Sequence, residues 1–320
     1  MNRRSFIIRA GRGLQKISPF FRFLDYPFRV PFLLKNNKNH IPSVFILAPP
    51  RSGSTIAYQV LTEAFKNEHL TNVANLLYAT PVLGSIISGK LCKNYHTSFQ
   101  SEKGFVPGIC GEAEGLMFWK YWAGQGLIES EGCYRLLRLQ KLERLLSLRH
   151  RKDRKVYISG YLGHVFCVSL LRKAFPNAIF VHLERNLIDN AASIYRFSKN
   201  GRFSLQPQSL DNFQGSKPEW VAHQIIHIQS QIHEQETDDT IRVHYENLCK
   251  DPEKEMRRIS EFAAKRGIYL QPKSNSKIPG HFDVSYAERN LKEVQQLERI
   301  IRKKIDTLPN RKKTYLKRLI

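Results

Sequence analysis

The sequence predicts an α/β protein in which a parallel sheet is flanked by helices on both faces. Two observations lead to this fold class. Short apolar runs typical of buried strands alternate along the chain with segments of helical spacing, and this alternation builds parallel sheets. The first apolar run leads directly into a turn rich in proline, serine and glycine and then into a helix, which is the layout of an anion-binding loop.

Four strands and five helices follow from the pattern. The strands are Ser43–Leu47, Val156–Ser159, Ala178–Leu183 and Thr240–Tyr245. Helical spacing is found over residues 56–65, 135–155, 164–175, 187–199 and 251–266. The last helix has Pro252 in its first turn and Gly267 just past its end, the residues that favour those places. Ligands of such sheets bind at the carboxyl ends of the strands.

The composition excludes several classes of protein. The 320 residues include 51 Lys and Arg against 28 Asp and Glu, a formal net charge of +23. A hydrophobic content of 42% excludes a disordered chain. No apolar run approaches the ~18 residues of a membrane-spanning helix. The excess positive charge predicts contact with anions, such as nucleic acid, anionic lipid or phosphorylated and sulfated molecules.

By composition the chain divides into three parts. Residues 1–39 form a basic extension, residues 40–290 an α/β domain, and residues 291–320 a basic helical tail. Apolar residues of the extension recur at helical spacing, and its arginines lie largely off that face. Such a helix suits an anionic membrane surface, docking on its own domain, or an organellar transit peptide. We expect a cytoplasmic protein with peripheral membrane contact through residues 1–38.

The five cysteines are scattered along the chain, and none forms a C-x-x-C pair. This pattern disfavours a zinc site and a redox dithiol. We therefore expect no metal site, no disulfide framework and a reducing compartment.

The first strand runs into Pro50-Arg51-Ser52-Gly53-Ser54-Thr55 and then a helix. Gly53 permits a tight turn, the first N–H groups of the helix face the ligand, and the hydroxyl side chains add donors. Ser54 stands where a nucleotide-hydrolysing P-loop has its lysine, so nucleoside triphosphate hydrolysis is disfavoured. Arg51 supplies a cation from the other side of the loop.

A second anion-binding element follows the strand Ala178–Leu183. Arg185 lies at the end of this strand, and Ser193 follows eight residues later, slightly over two helical turns. A guanidinium and a hydroxyl on one side of a strand end suit a phosphate group. Together, the two elements predict a ligand with two separate anionic groups.

These residues resemble the motifs of the sulfotransferase family that uses 3′-phosphoadenosine 5′-phosphosulfate (PAPS). Residues 50–55 are similar to the family's 5′-phosphosulfate loop, and residues 185–193 to its 3′-phosphate motif. Residues 175–183 and 243–252 look like its F-P-[DN]-A and YE-x-L…DP segments, and the similarity spans roughly residues 43–267. The resemblance implies a P-loop-like fold, PAPS as sulfuryl donor without a metal, and a hydroxyl acceptor, of which a carbohydrate or glycolipid is the most plausible.

The sequence departs from the family pattern at two positions. Leu187 replaces a proline that only shapes the turn after Arg185. Many relatives carry a K-x-P-x-H strand end where this chain has Gly160-Tyr161-Leu162-Gly163-His164. Only His164 of that pattern is present, so Arg51 would act on the sulfuryl group without the lysine.

Sulfuryl transfer needs a base for the acceptor hydroxyl. We consider Glu112, His164 and Glu114, in that order, because relatives use a glutamate or a histidine. The alternatives are a histidine bonded to backbone at a helix start and two glutamates that cap the helix after residue 115. Lys273 and Lys277 are candidates to close over the 3′-phosphate, although lysines of a polar loop are more often simply solvated.

Two further functions remain as alternatives. The missing lysine at Gly160 favours a catalytically silent module that binds a nucleotide or an acidic glycan. The net charge favours a nucleic-acid-binding protein, but no helix-turn-helix, RNP, zinc-finger or basic-zipper pattern occurs, which disfavours nucleic acid as a partner.

Overall fold

A computed structural model describes most of the chain. The described residues are 23, 25, 27, 40–102, 104–124, 126, 135–153, 155–198, 205–207, 210 and 213–320, and for 148–153 only the backbone is described. The expected amphipathic helix within residues 1–38 lies almost entirely outside this set.

Five parallel strands form one sheet, which confirms the predicted fold class. They are β1 (Ser43–Leu47), β2 (Asn67–His69), β3 (Val156–Ser159), β4 (Ala178–Glu184) and β5 (Thr240–His244), in the spatial order β2-β3-β1-β4-β5. The central strand β1 pairs along its whole length with β4, from Ser43 opposite Ala178 to Leu47 opposite His182. The carboxyl ends of these two strands therefore meet at one edge.

Twelve α-helices among the described residues surround the sheet. The first six are α1 (Ser54–Ala64), α2 (Asn72–Leu76), α3 (Pro81–Leu91), α4 (Leu116–Trp122), α5 (Leu136–Asp153) and α6 (Val168–Ala174). The other six are α7 (Leu187–Phe197), α8 (Lys217–Glu234), α9 (Tyr245–Lys250), α10 (Pro252–Lys265), α11 (Lys292–Asp306) and α12 (Asn310–Lys317).

Several elements differ from the sequence prediction, among them the three described here. Strand β2 was not predicted because its residues, Asn67-Glu68-His69, are polar, and it is a strand because it pairs with β3. Helix α8 was also not predicted, although Ser216 and Glu219 form a capping box at its start. The expected helix over 164–175 begins only at Val168, after a 3₁₀ turn over Leu162–Phe166.

The residues after 290 pack as part of the fold. Helices α11 and α12 place Leu297, Ile301 and Leu316, all fully buried, against α7 and α8. None of the basic side chains of these helices is fully buried, and Lys304 packs over the ring of Phe213.

The last residues contact the turn that follows β4. The Leu187 N–H donates to the Leu319 carbonyl at 2.8 Å, and Asn186 Nδ2 donates to the Ile320 carbonyl at 2.8 Å. Arg318 pairs with the buried Glu184 carboxylate at 2.9 Å. Residues 318–320 therefore brace the turn that carries Arg185.

The sequence predicts no disulfide framework, and the structure has one disulfide among the described residues. Cys92, just after α3, is bonded to Cys110 in the loop before α4. Cys167 and Cys249 are free and buried. The spacing of 18 residues carries no recognisable disulfide motif, and only the folding of α3 against the loop brings the two thiols together.

Within the described ranges, every helix is too short or too polar to cross a bilayer.

Candidate active site

The turn between β1 and α1 has the geometry of an anion-binding loop. Arg51 and Gly53 both have left-handed backbone, with φ of 62° and 93°. A left-handed non-glycine residue is strained, and such strain concentrates at ligand sites. Ser52 fixes the turn by donating its hydroxyl hydrogen to the Pro49 carbonyl at 2.8 Å. Helix α1 starts at Ser54 without a side-chain cap, so its first N–H groups are available to an anion.

Tyr245 closes the loop from the side. A Cβ atom at Gly53 would lie 2.2 Å from Tyr245 Cδ2, so position 53 accepts no side chain while the ring is in place. The same ring lies 4.6 Å from the Arg185 guanidinium carbon. Tyr245 therefore touches both anion-binding elements. In the sequence, Tyr245 belongs to the segment that resembles the family's YE-x-L…DP pattern, and that resemblance alone implies no role for it.

The two predicted arginines lie side by side. Arg185 is 6% exposed, and its Nη1 donates to the Arg51 carbonyl at 2.8 Å. Its Nη2 donates to the Ser285 carbonyl, and its buried Nε has no hydrogen-bond partner. Arg51 Nε donates to Ser193 Oγ at 3.4 Å. The structure thus brings together Arg51, Arg185 and Ser193, as the motif spacing predicted.

This pair of cations is electrostatically suited to an anion. The pKa of Arg51 is lowered, first by burial and second by the Arg185 charge. Two neighbouring guanidinium groups repel each other, and an anion between them relieves that repulsion. A groove of about 440 Å³ lies beside Arg185, and its lining includes Arg289 and Arg318 together with the carboxylates of Asp189 and Glu246.

Glu112 lies deeper than expected of a base. Its carboxylate accepts hydrogen bonds from Thr62 at 3.2 Å, Thr97 at 3.3 Å and Tyr95 at 3.4 Å. Thr62 is seven residues beyond Thr55 on α1, about 10 Å along the helix. Burial raises the pKa of Glu112, and these hydroxyl donors oppose the rise. The carboxylate therefore joins α1 to the loop that follows α3 through hydrogen bonds.

Glu114 lies at the anion loop. A Cβ atom at Gly104 would lie 3.7 Å from both Glu114 Oε1 and Thr55 Oγ1, so Gly104 lies beside both side chains. Glu114 keeps partial solvent access, whereas Glu112 is fully buried. Burial raises the pKa of Glu114 to about 7. Of the two glutamates, Glu114 is closer to the loop and better poised to exchange a proton near neutral pH.

His164 is a core residue. It is fully buried, and its ring lies 4.4 Å from that of Trp119 and 5.0 Å from that of Phe45. Its Nε2 is 2.8 Å from Ser159 Oγ, and burial lowers its pKa to about 3. An acceptor molecule does not reach this ring in the described structure.

The position of the family's missing lysine is filled by another side chain. A Cβ atom at Gly160 would lie 2.7 Å from Cγ of Tyr58, a buried residue of α1. A lysine at 160 is therefore incompatible with Tyr58 in this packing, which accounts for the departure.

Lys273 does not lie where the sequence interpretation placed it. Its Nζ is 3.7 Å from the Glu63 carboxylate, near the end of α1 that is remote from the anion loop. The Lys277 N–H donates to the same carboxylate at 2.9 Å. The segment beside Arg185 instead contributes the Ser285 carbonyl and Arg289.

One group among the described residues has the donor set of a metal site. Ligand atoms of His182, Glu184 and Glu236 lie within 4.8 Å of one another. Glu236 is hydrogen-bonded to His182 at 2.7 Å and paired with Arg242, and Glu184 is paired with Arg318. The guanidinium groups already neutralise these carboxylates, so the cluster serves as an ion-pair network beneath α12.

A family model described as "Sulfotransferase family" matches residues 42–265. The fold is similar to that of sulfotransferase STF9 from Mycobacterium avium, with 14% identity, a TM-score of 0.55, and coverage of 94% of this chain and 84% of that one. Sulfotransferase STF1 from Mycobacterium tuberculosis has 12% identity and a TM-score of 0.49, with 93% and 85% coverage. A search of curated protein sequences found no match.

Proposed function

The chain belongs to the sulfotransferase family, and we propose that it transfers a sulfuryl group from PAPS to a hydroxyl acceptor. The observation that carries the proposal is the pair of guanidinium groups, Arg51 and Arg185, at the ends of the two central strands. One phosphate-bearing end of a nucleotide would meet the loop, and the other would meet Arg185 and Ser193.

The residues fit a donor with two anionic ends. The left-handed loop at Arg51 and Gly53 and the uncapped start of α1 suit a 5′-phosphosulfate. The unpartnered Arg185 Nε and the groove beside it suit a 3′-phosphate. When bound, PAPS supplies the sulfuryl group and leaves as 3′-phosphoadenosine 5′-phosphate.

Catalysis by this chain is then positioning and electrostatic stabilisation. Arg51, Ser54, Thr55 and the first N–H groups of α1 stabilise the negative charge that grows on the leaving phosphate. The arrangement is built before the reaction, because Tyr245 holds the loop and Arg185 together. Little reorganisation is needed at the moment of transfer.

Glu114 is the proposed base. As the new S–O bond forms, the acceptor hydroxyl loses its proton to the Glu114 carboxylate. A pKa of about 7 leaves about half of these carboxylates ionised at neutral pH and keeps them basic enough to accept a proton. Glu112 and His164 would support the site through packing.

The proposed acceptor is a carbohydrate or a glycolipid. The net charge of +23 far exceeds what a doubly anionic nucleotide needs, and the surplus favours an acceptor or a surface that carries negative charge.

One finding argues against the expected cytoplasmic location. Disulfides such as Cys92–Cys110 persist mainly in oxidising compartments. Labelling of free thiols in intact cells would report which state of this pair exists there.

Two measurements test the function. The melting temperature should rise on addition of 3′-phosphoadenosine 5′-phosphate, and Arg185→Ala should abolish the shift, whereas Arg302→Ala, an exposed arginine of α11, should preserve it. Radiolabelled PAPS incubated with a cell extract should then yield a labelled hydroxyl compound. A shift that survives Arg185→Ala contradicts the nucleotide site.

A catalytically silent nucleotide-binding module is the second candidate. It is favoured by the absence of a cation at position 160 and by the two Arg185 donors already bonded to carbonyls. A thermal shift with no label transferred to any acceptor would support this function over the enzyme.

A further inference from the structure

Apolar side chains are exposed on the loop and helix ends around Glu114. Phe105 and Ile109 of the loop are 58% and 62% exposed, and Leu116 and Met117 in the first turn of α4 are 41% and 37% exposed. Leu91, the last residue of α3, is 59% exposed. We call these five residues the apolar rim.

Two contacts make the apolar rim one surface. The disulfide holds the Cα atoms of Cys92 and Cys110 5.5 Å apart, which brings together the two segments that carry Leu91 and Ile109. A Cβ atom at Gly104 would lie 3.7 Å from Glu114 Oε1, which brings the segment of Phe105 near the residues that precede α4. Single exposed apolar residues are ordinary, whereas a contiguous set beside a proposed reaction centre marks an interaction surface.

The border of the apolar rim is positively charged. Lys90 and Lys93 flank the end of α3, and Lys120 lies one turn from Leu116 on α4; all three are exposed. Among the described residues from 86 to 124, the one exposed carboxylate is Glu102, because Glu112 is fully buried and Glu114 keeps only partial access. Apolar side chains bordered by lysines complement an anionic lipid surface, which offers both acyl chains and negative headgroups.

We propose that the apolar rim docks on an anionic membrane and that the acceptor hydroxyl is carried by a lipid in that membrane. The apolar side chains enter the headgroup boundary, and the lysines contact anionic headgroups. The hydroxyl of a neighbouring lipid then reaches Glu114 from the same face. Docking is independent of catalysis, whereas the statement about the acceptor rests on the proposed function.

The binding test uses the full chain and sedimented vesicles. Vesicles of phosphatidylcholine with about one third phosphatidylserine are compared with pure phosphatidylcholine. The test variant is Phe105→Ser with Ile109→Ser, and the matched control is Tyr269→Ser with Leu291→Ser, two exposed apolar residues outside the rim. We expect the test variant to bind anionic vesicles at least tenfold more weakly, and the control to bind like the unmodified chain.

Three results would overturn the proposal. The first is no binding of the unmodified chain to anionic vesicles. The second is equal binding by the test variant, which would assign membrane contact to another part of the chain, such as residues 1–38. The third is concentration-dependent self-association, seen by sedimentation velocity and lost in the test variant, which would make the rim an interface between copies.

A thermal shift with 3′-phosphoadenosine 5′-phosphate separates this proposal from the proposed function. The shift should be the same for both variants, because neither touches Arg51 or Arg185. Loss of vesicle binding with an intact shift supports membrane docking, and absence of the shift in the unmodified chain counts against the nucleotide site alone.

Discussion

The two sides of the proposed site are built differently. The nucleotide side consists of two turns at the ends of β1 and β4, which pair over five residues at the centre of the sheet. The acceptor side is the segment from Cys92 to Gly115, whose described residues form neither a helix nor a strand of the sheet. The disulfide, two hydrogen bonds from Asn72 Nδ2 and the hydroxyls around Glu112 hold it in place.

The two sides are held in position by different kinds of structure. On the nucleotide side, regular structure positions the arginines, so a short local sequence specifies the geometry. On the acceptor side, position depends on bonds between residues far apart in the chain. Loops of this kind change sequence more readily than strands, which suits the part of the protein that selects the acceptor.

The largest effect should come from the carboxylate that joins the two sides. We expect Glu114→Gln to lower kcat by about 10²- to 10⁴-fold, because the amide cannot take the acceptor proton. Nucleotide binding by calorimetry should be unchanged. Glu112→Gln is the matched control, and it should lower stability while keeping most of the turnover.

The pH profile offers an independent check on Glu114. Since burial raises its pKa to about 7, the active carboxylate form is present above that pH and is lost below it. The ratio kcat/KM should therefore fall about tenfold per pH unit below pH 7 and level off above it. Near-wild-type turnover of Glu114→Gln would instead make Glu112 the better candidate.

Loss of the disulfide should affect the acceptor side alone. The bond closes a loop of 18 residues, so Cys92→Ser should reduce the free energy of unfolding by about 3 kcal/mol. The acceptor KM should rise while the nucleotide Kd does not change. A reductant should reproduce the effect in the unmodified chain and have none in the variant; a change in nucleotide Kd would show that the two sides are coupled.

The smallest effect separates backbone strain from the Tyr245 contact. Gly53→Ala and Gly267→Ala both place a side chain at left-handed φ, but only position 53 has an atom within 4 Å of the new Cβ. We expect Gly53→Ala to destabilise by about 2 kcal/mol more than Gly267→Ala in thermal unfolding and to weaken nucleotide binding. An equal loss of stability in both variants would mean that the Tyr245 ring moves aside at little cost.

Residues that act locally were predictable from the sequence. The strand Ser43–Leu47 is a buried apolar run, and the turn after it carries its glycine and hydroxyls in sequence order, so both the sheet and the proximity of Arg51 and Arg185 could be anticipated. Helix α8 also had a readable signal in Ser216 and Glu219.

Residues whose state depends on distant partners were not predictable. His164 has the sequence position of a base, but the rings of Phe45 and Trp119 enclose it. Glu112 and Glu114 look equivalent in sequence, and only the approach of Thr62 to one and of Gly104 to the other separates them. The pairing of Cys92 with Cys110 depends likewise on how α3 meets the loop.

The brace formed by residues 318–320 has a consequence for synthesis of the protein. Ile320 is made 134 residues after Asn186, the residue whose side chain it holds. At elongation rates of ~5–20 residues per second, residues 318–320 are synthesised on the order of ten seconds after the turn that carries Arg185. During that time the turn lacks its contacts with these residues. Nascent chains arrested before α12 should therefore have a folded sheet and an immature nucleotide site.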